Sequence, residues 1–488
     1  MRRRKITHHL SIVSLLVLHS SVTLAESPVE IGDRRQLFVD ARLVSQLRGL
    51  RRVLHHPVRR EIAIKPEHPW EKFGVSYMVA IRDPAWKRSR FRAWYRVDAA
   101  AFGSADRLSM TAYAESDDGI RWRKPQLGVI EYAGSRKNNL VWNGKAINLA
   151  PFRDDNPRAK PEERYKAIAR TGDLHTLVSP DGIHWKLSGT KPLFTNRPFD
   201  SHNIGFWDTH AKQYVIYTRG VRTDGPLGRG MAKRFKGGVR WVRRTTSKDF
   251  QTWTPLEPIT TGDRPREEFY TNATIRYERA PDYLLMFPSR FASAREPKPG
   301  WKFGKGVNDI ALLSSRDGLH WDRSFMKAFI RPGLDQGNWH ERSLYMERGI
   351  LETSSTQLSL YCMQNWRLRS VQIRRYSLRP DGFVSVQADY ELGELVTRPV
   401  RFSGNRLFIN YSTSAVGTLR VELQDTDGQP ISGFTLAECV EIYGDRIDGE
   451  VRWASGGDLT PLKGRTIRLR FVLGDADLYA FRFTRRSP

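Results

Sequence analysis

The sequence predicts an all-β protein in which a five-bladed β-propeller is followed by a C-terminal β-sandwich. Two observations support this fold class: a short turn phrase recurs at near-constant spacing, and a run of alternating strands without the phrase follows it. The repeat region shows no helical periodicity of useful length. The phrase reads S-D-D-G-I-R-W at 116–122, S-P-D-G-I-H-W at 179–185, S-K-D-F-Q-T-W at 247–253 and S-R-D-G-L-H-W at 315–321, with a degenerate copy, R-P-D-G-F-V-S, from Arg379.

The recurring phrase predicts a tight hairpin turn. Its starts are 63, 68, 68 and 64 residues apart, a regularity typical of repeat architectures. Ser and Asp oxygens accept backbone N–H groups, Gly adopts a positive φ without steric cost, and Trp returns to the core. These residues are therefore structural, and none of them is a catalytic candidate.

Each copy of the phrase lies within a set of four short predicted strands. In the third repeat the strands are 202–207, 213–218, 239–246 and 252–256, and the fourth repeat follows the same order. Four antiparallel strands per unit, repeated in series, indicate a propeller, which removes sheet edges by closing a ring. Five units close the predicted ring, which we place at residues 26–391.

The pattern changes after Asp389, where the turn phrase no longer recurs. In the segment 466–473, apolar side chains occupy every second position and arginines lie between them. Short alternating strands over about ninety residues are typical of a β-sandwich. We therefore expect a second domain at residues 392–488.

The first residues predict a secretory signal peptide over residues 1–25. A cationic start at 2–5 precedes the apolar run 12–18, and the small residues Thr23 and Ala25 stand before a cleavage site. The run is shorter than the roughly 20 residues that a membrane-spanning helix needs, and a disordered basic leader is the alternative. Because no later stretch is apolar enough to span a membrane, we expect a secreted or periplasmic protein with no integral membrane segment after signal removal.

The chain is strongly basic. Its formal net charge is +27, and it falls to +23 without residues 1–25, which carry four basic and no acidic residues. Such a charge attracts polyanions. Export argues against nucleic acid, and the arginines are scattered rather than gathered in one run. An acidic polysaccharide, sulfated or uronate-bearing, is the better-placed partner, with a compositional bias toward Arg as the alternative.

The sequence offers neither a disulfide framework nor a metal cluster. Its two cysteines, Cys362 and Cys439, fall in different predicted domains, so one interdomain disulfide and two buried free thiols both remain open. No group of His, Asp and Glu has recognisable ligand spacing. We expect no metal and no cofactor.

Five repeats, the S-x-D-G-x-x-W turns, a secretory signal and a trailing sandwich together resemble the clan of five-bladed propeller glycosidases, notably glycoside hydrolase families 32, 43 and 117. The turn phrase is also similar to the Asp-box of sialidases, although those have six blades and one more residue between Asp and Gly. The W-M-N-D-P-N-G phrase of family 32 is absent, and an R-D-P tripeptide at 82–84 follows the first strand of blade one, where we interpret it as a turn. The resemblance implies a glycoside hydrolase with its acids at the propeller channel.

The resemblance directs the search to the start of the first strand of each blade, which lines the channel. Glycoside hydrolysis needs one carboxylic acid to protonate the leaving oxygen and one carboxylate as base or nucleophile, and the clan adds a third acid that orients the sugar. Matching by blade position assigns Glu268 as general acid, Glu71 as base or nucleophile and Asp200 as orienting acid. A salt bridge to one of the many arginines is the alternative for each.

Other residues at the same strand starts are candidates for substrate binding. Aromatic rings can stack on pyranose rings, imidazoles and amides can hydrogen-bond sugar hydroxyls, and a guanidinium fork can hold a carboxylate or sulfate. The candidates are Trp70, His202, Asn203, Tyr270, Trp339, His340 and Arg342. Core packing of the aromatic rings, packing of a His on a neighbouring Trp and structural pairing of the Arg are the alternatives.

These assignments predict a secreted glycoside hydrolase acting on a polysaccharide, with an acidic or sulfated one favoured by the charge, and they leave inversion or retention open. The alternatives are a non-catalytic carbohydrate-binding propeller and a cell-surface interaction protein. Carboxyl groups of Glu71 and Glu268 that face each other across the channel at about 5–10 Å would favour hydrolysis. Carboxylates held by arginines would favour the alternatives.

Overall fold

The computed structural model describes residues 27–100, 109–195, 198–301 and 303–485. Within these ranges the secondary structure consists of β-strands and short 3-10 turns, without an α-helix, which confirms the predicted all-β class. The predicted leader, residues 1–25, lies outside the described residues. No helix of the described ranges is long and apolar enough to cross a membrane. The 3-10 turns are Pro69–Glu71, Pro161–Glu163, Phe235–Gly237, Gln336–Asn338 and Thr460–Leu462.

The chain begins with five strands that pair with segments much later in the sequence. They are β1 (Val29–Gly32), β2 (Gln36–Leu37), β3 (Val44–Arg48), β4 (Leu50–Leu54) and β5 (Val58–Ile64).

Antiparallel strand units then follow one another through the described part of the chain, and the fourth of them is divided between a three-stranded and a two-stranded sheet. Unit one contains β6 (Gly74–Arg82), β7 (Phe91–Asp98), β8 (Ser109–Ser116) and β9 (Leu140–Trp142). Unit two contains β10 (Ile147–Arg153), β11 (Tyr165–Arg170), β12 (Leu174–Ser179) and β13 (Lys186–Leu187), and unit three contains β14 (Ile204–Asp208), β15 (Gln213–Arg222), β16 (Val239–Ser247) and β17 (Glu257–Pro258). Unit four contains β18 (Ile275–Arg276), β19 (Leu284–Met286), β20 (Ser289–Ala292), β21 (Val307–Ile310) and β22 (Leu313–Ser315), and unit five contains β23 (Tyr345–Ser354), β24 (Gln357–Gln364) and β25 (Gln372–Leu378).

Strand β5 from the N-terminal part of the chain completes unit five. It pairs antiparallel with β25, with Ile64 opposite Ile373. On the inner side, β23 meets β6 of unit one at a parallel bridge between Arg348 and Val79. Strand β6 also contacts β10, and β10 contacts β14, so the inner strands of units five, one, two and three follow one another as in a propeller. The pairing of β5 with β25 and the bridge between β23 and β6 cover strand edges that units one and five would otherwise expose.

The recurring phrase forms the predicted turn. In its first copy, Ser116 Oγ accepts the Gly119 N–H at 2.8 Å, and Asp118 Oδ1 accepts the Ile120 and Arg121 N–H groups at 2.8 and 2.9 Å. The copies at 179–185, 247–253 and 315–321 have the same bonds. Gly119, with φ +70°, has the predicted positive φ. The structural role assigned to the phrase is confirmed.

We predict that Gly182→Ala destabilises the fold more than Gly128→Ala does. Both glycines have φ +73°, but a Cβ at Gly182 would lie 2.8 Å from Trp94 Cζ2, whereas a Cβ at Gly128 meets no atom within 4 Å. A left-handed Ala costs about 1–2 kcal/mol at either site, and overpacking adds about 1–3 kcal/mol at Gly182 only. Urea denaturation of the two variants measures the difference, and equal losses would contradict the packing of Trp94 on the turn.

The C-terminal sheet is built from both ends of the chain. It contains β26 (Val384–Ala388), β27 (Gly393–Thr397), β28 (Val400–Phe402), β29 (Arg406–Gln424), β30 (Asp445–Glu450) and β31 (Thr466–Thr484), of which β29 and β31 are 19 residues long each. Strands β1, β2, β3 and β4 pair with β28, β31, β27 and β26. The strand pairing therefore divides the chain differently from the predicted domains 26–391 and 392–488, because residues 29–54 join residues 384–484. Both cysteines are buried free thiols.

A buried carboxylate ties the N-terminal segment to unit four at the edge of this sheet. Asp381, in the degenerate fifth copy of the phrase, lies 3.1 Å from Arg35 Nη1 and 3.0 Å from Arg279 Nε, and it accepts the Tyr277 hydroxyl at 2.8 Å. Burial alone would raise the pKa of the Asp381 carboxyl, but the charges of Arg35 and Arg279 hold that pKa below its usual value.

We predict that Asp381→Asn lowers the free energy of unfolding by about 1–3 kcal/mol, because it removes the buried carboxylate shared by Arg35 and Arg279, which keep only Asp448 and Glu352 as partners among the described residues. The matched control is Asp389→Asn, which removes the exposed partner of Arg51 and should leave the denaturation midpoint unchanged. Since the folded-state pKa of Asp381 is lowered, its stabilising effect is present above pH 4 and declines as the pH falls. If the free energy of unfolding of Asp381→Asn falls with acidification as much as that of the wild type, this role of Asp381 is contradicted.

Candidate functional site

Four aromatic side chains meet at the starts of the inner strands. The rings of Tyr77 and Tyr345 stack with centroids 5.7 Å apart, and Tyr345 stacks on Tyr270 at 5.4 Å. The imidazole of His202 lies 5.2 Å from the Tyr77 ring. These residues, which we call the aromatic group, come from units one, three, four and five. We call the region around the aromatic group, where the starts of these inner strands converge, the mouth; the four rings themselves are buried, at 0–3% exposed.

A break in strand β6 places Tyr77 in the aromatic group. The register of β6 against β7 shifts between Ser76 and Val79, and Tyr77 has φ +52°. Glu347 Oε2 accepts the Met78 N–H at 2.6 Å within this bulge. Burial raises the pKa of the Glu347 carboxyl well above its usual value, although the Met78 and Tyr77 N–H groups act in the opposite direction. Glu347 therefore accepts a hydrogen bond from a backbone N–H group that, because of the bulge, does not pair with strand β7.

His202 is a neutral imidazole at the mouth. It is 2% exposed, and burial lowers its pKa to about 3, partly opposed by a hydrogen bond with the Leu149 backbone. Its Nε2 atom has no hydrogen-bond partner among the described residues. A neutral ring with one free nitrogen is able to exchange a hydrogen bond with a sugar hydroxyl.

Two of the predicted carboxylates lie beside the aromatic group. Asp200 has a side chain 53% exposed and lies 3.1 Å from Arg170 Nη2 and 3.3 Å from Arg219 Nη1. The Tyr270 hydroxyl is 3.5 Å from Asp200 Oδ2. Glu268 is fully buried, and its Oε1 accepts a hydrogen bond from Arg240. Both predicted acids are thus held by arginines, which is the alternative that the sequence left open for them.

Nine buried polar atoms at the mouth lack a partner among the described residues, as do others elsewhere in the chain, such as Trp253 Nε1 and Asn405 Oδ1. Native proteins pair nearly all such atoms with protein, water or ligand, so the nine atoms at the mouth are candidates to bond water or a polar ligand. The atoms are Ser201 Oγ, His202 Nε2, Asn203 Oδ1, Glu268 Oε2, Tyr345 Oη and the Nε atoms of Arg170, Arg219, Arg240 and Arg342.

Glu71 and Trp70 belong to the 3-10 turn Pro69–Glu71, just before β6. The Glu71 carboxylate is fully buried and accepts the Tyr95 hydroxyl at 2.7 Å, Lys124 Nζ at 2.8 Å and the Glu67 N–H at 2.8 Å. Trp70 stacks on His68 and donates its indole N–H to Asn139 Oδ1 at 3.0 Å. These contacts are those of a structural group, and no contact among the described residues joins Glu71 to Glu268.

Unit five contributes Arg342 to the mouth, while its neighbours pack to one side. Arg342 Nη2 lies 3.1 Å from Glu341, and its charge acts on the hydroxyls of Tyr345 and Tyr270. His340 stacks on Phe303 and on Trp301, with centroids at 4.0 and 5.4 Å, and burial lowers its pKa to about 4. Trp339 is half-buried and donates its indole N–H to Gly333 O at 2.8 Å. The packing alternative thus describes His340 better than sugar binding does.

The sequence did not indicate four residues of the mouth. Tyr77 and Tyr345 lie within or at the start of inner strands, where an aromatic residue reads as core. Arg219 and Arg240 lie on β15 and β16, the second and third strands of unit three, and their long side chains reach the mouth from there. A search that included arginines on second and third strands would have found both.

No protein-family model matches the sequence, and no curated protein sequence is significantly similar to it. Among solved structures, the chain is similar to a glycoside hydrolase family 43 arabinoxylan arabinofuranohydrolase from Bacillus subtilis in complex with cellotetraose, at 10% identity and TM-score 0.40 over 85% of this chain and 96% of that one. It is similar to a mannoside-active structure of the GH130 family, at 14% identity and TM-score 0.40 over 69% and 95% of the two chains. A third similar structure is an N-acetylgalactosamine deacetylase from F. plautii in complex with blood group B trisaccharide, at 13% identity and TM-score 0.42 over 67% and 95%. At these identities and scores, the chemistry must be judged from the side chains of this chain.

We predict that His202→Gln reduces the loss of stability between pH 7 and pH 5. The folded-state pKa of His202 is about 3, below the unfolded value of about 6.5. Between these values only the unfolded state binds the proton, so wild-type stability falls as the pH drops below about 6.5, and His202 contributes about 2 kcal/mol of that fall at pH 5. Urea denaturation at both pH values measures it, and identical pH dependence in the two proteins would contradict a neutral buried His202.

Proposed function

We propose that the chain is a glycoside hydrolase that binds a polysaccharide at the channel mouth. The observation that carries the proposal is the convergence of four units on the aromatic group, whose rim holds buried polar atoms free to bond sugar hydroxyls. Rings for stacking together with a few convergent polar groups are what a sugar site needs. The rings of Tyr77, Tyr270 and Tyr345 are 0–3% exposed and stack on one another, so we expect them to form the floor of the site, while His202, Asn203 and Ser201 supply the polar groups.

The two carboxylates at the mouth are the candidates for catalysis. In hydrolysis, a water oxygen bonds to the anomeric carbon while the glycosidic carbon–oxygen bond breaks; one carboxylic acid protonates the leaving oxygen and a carboxylate accepts the proton of the water or forms a glycosyl intermediate first. We assign Glu268, with its free Oε2, as the acid, and the exposed Asp200 as the second group. Glu71 has no place in this pair, because Tyr95 and Lys124 enclose it.

The charge of the chain favours an acidic or sulfated polysaccharide as substrate. The net charge of the whole chain is +27. At the mouth, four arginines lie around the aromatic group: Arg170, Arg219, Arg240 and Arg342. Clefts lined by one sign of charge raise the local concentration of an oppositely charged substrate. Such a substrate lies outside the cell, which accords with the leader at residues 1–25. A mature protein that begins at Glu26 on N-terminal sequencing would support a secreted or periplasmic location.

A carbohydrate-binding propeller without catalysis is the second candidate function. The observation in its favour is that each carboxylate proposed from the sequence is held by a cation: Asp200 by Arg170, Glu268 by Arg240 and Glu71 by Lys124. Paired carboxylates are common structural features, and they do not by themselves require a reaction.

We expect Glu268→Gln and Asp200→Asn each to lower kcat for polysaccharide hydrolysis by at least about a hundredfold, the usual contribution of a general acid or base. The assay is reducing-sugar release from a panel of neutral, uronate-containing and sulfated polysaccharides. The matched control is Asp224→Asn, which removes an exposed carboxylate at the end of the same unit's strand β15 and should leave kcat unchanged.

Several outcomes of the same assay would overturn parts of the proposal. Full activity in Glu268→Gln would remove it as the acid, and a loss of kcat in a stably folded Glu71→Gln would restore Glu71 to the site. Binding of a glycan by the wild type without release of reducing ends would favour the second candidate function. If the wild type neither binds nor cleaves any polysaccharide of the panel, the proposal of a carbohydrate site at the mouth is rejected.

A further inference from the structure

Two arginines lie side by side on one face of unit three. Arg240 on β16 is opposite Val221 on β15, and Arg219 is opposite Val242, so Arg219 and Arg240 are diagonal neighbours on the same face of the sheet. They are 6% and 7% exposed. Two like charges this close and this deeply buried are unfavourable unless anions compensate them.

Aromatic rings hold the two guanidinium groups from both sides. The Phe235 ring lies 5.2 Å from Arg219 Cζ and 4.8 Å from Arg240 Cζ. The Tyr270 ring lies 5.9 and 5.1 Å from the same atoms. Phe235, in the 3-10 turn Phe235–Gly237, is one of the exposed large apolar residues. The arrangement fixes the two guanidinium groups beside a ring of the aromatic group and restricts water around them.

The carboxylates nearby do not neutralise this region. Asp200 is shared by Arg170 and Arg219, and Glu268 pairs with Arg240, which sets three guanidinium groups against two carboxylates. Two further guanidinium groups lie around them, Arg234 against Phe291 and Arg243 against Phe199. The excess of positive charge is therefore local to this face of the mouth.

Each of the paired arginines also keeps an unused donor. The Nε atoms of Arg219 and Arg240 are buried and have no acceptor among the described residues. Burial, and next the charge of Arg240, lower the pKa of Arg219. An unpaired N–H on a buried cation costs free energy that an anionic oxygen would recover, and such charge-assisted hydrogen bonds are roughly twice as strong as neutral ones.

We propose that Arg219 and Arg240 form a subsite for an anionic substituent of the bound glycan, the carboxylate of a uronic acid or a sulfate ester. The proposal rests on the proposed function, because it assigns the class of sugar that the mouth accepts. Both substituents present oxygens in the spacing that a guanidinium fork matches, whereas an uncharged sugar would leave the Nε donors and the excess charge uncompensated. The Phe235 turn lies over this subsite, and the Tyr270 ring, 3% exposed, packs beneath it.

The test compares binding of matched charged and neutral oligosaccharides. The first pair is an oligogalacturonate and its methyl ester, and the second is a sulfated galactan oligosaccharide and its desulfated counterpart. Calorimetry with the full-length wild type and with Arg219→Met is done in about 0.15 M salt, where long-range attraction is largely screened. Arg219→Met leaves Asp200 its contact with Arg170, and Arg219→Lys, which keeps the charge and removes the fork, replaces it if the Met variant does not fold.

Arg222→Met is the control. Arg222 lies on the same strand, stacks on Trp241 at 4.8 Å and pairs with the exposed Asp224, so the control removes an equal charge of similar setting. We expect Arg219→Met to weaken binding of the charged member of one pair by about ten- to a hundredfold, while the neutral member and the Arg222→Met variant are unaffected. The pair that responds distinguishes a carboxylate from a sulfate.

The opposite results separate the two proposals. If Arg219→Met weakens charged and neutral members equally, or weakens neither while the wild type still binds glycan, the anion subsite is wrong and the proposed function stands. If the wild type binds none of the four oligosaccharides and releases no reducing ends from the polysaccharide panel, the proposed function itself fails.

Discussion

Closure of the propeller by its own N-terminal strand is the constraint on which the rest of the structure depends. Strand β5 completes unit five through its pairing with β25, and β6 then lies against β23. The stack of Tyr77 on Tyr345 crosses that same junction. The aromatic group therefore forms only when the two ends of the ring have met. Such distant pairing must offset the entropy of closing a long loop before its contacts stabilise the chain.

The same constraint explains why the C-terminal sheet takes strands from the start of the chain. Once β5 is fixed on unit five, the preceding residues emerge beside the segment that leaves β25. Strand β4 then pairs with β26, and β3 pairs with β27. Asp381 stands at this crossing and is shared by Arg35 and Arg279, which belong to the N-terminal segment and to unit four. Ring closure and the C-terminal sheet are thus parts of one assembly.

The all-β class and the turns could be predicted because their causes are local. Seven residues contain the Ser and Asp acceptors of each turn and, in three of the four full copies, the Gly with positive φ, whose place Phe250 takes with φ +64° in the copy at 247–253. Alternation within a strand is visible in a short window. The N-terminal strands could not be assigned to the C-terminal sheet, since their partners are more than three hundred residues away. The bulge at Tyr77 was hidden for the same reason, because Glu347 on another unit supports it.

The candidate site was predictable in position but only partly in composition. The rule that inner strands begin at the channel mouth selected Asp200, His202 and Tyr270, which contact one another or the aromatic group in the structure. It failed to separate them from Glu71, whose 3-10 turn directs the carboxylate to Lys124 instead. It also missed arginines that reach the mouth from outer strands, because strand position limits where a backbone lies and not where a long side chain ends.

The arginines at the mouth differ from two other buried arginines of the propeller, Arg92 and Arg96, each of which is hydrogen-bonded to several acceptors. Arg92 donates to Asp83, to the Tyr113 hydroxyl and to the Asp181 carbonyl, and Arg96 donates to Asp98, Asn148 and Ser109. At the mouth, Asp200 and Glu268 act as counter-ions for arginines that remain incompletely satisfied. An anionic substituent bound by Arg219 and Arg240 would take over part of that role and loosen the hold of the arginines on the two carboxylates. Ion-paired carboxylates and catalysis are therefore compatible at this site, provided that the substrate brings the negative charge that releases them.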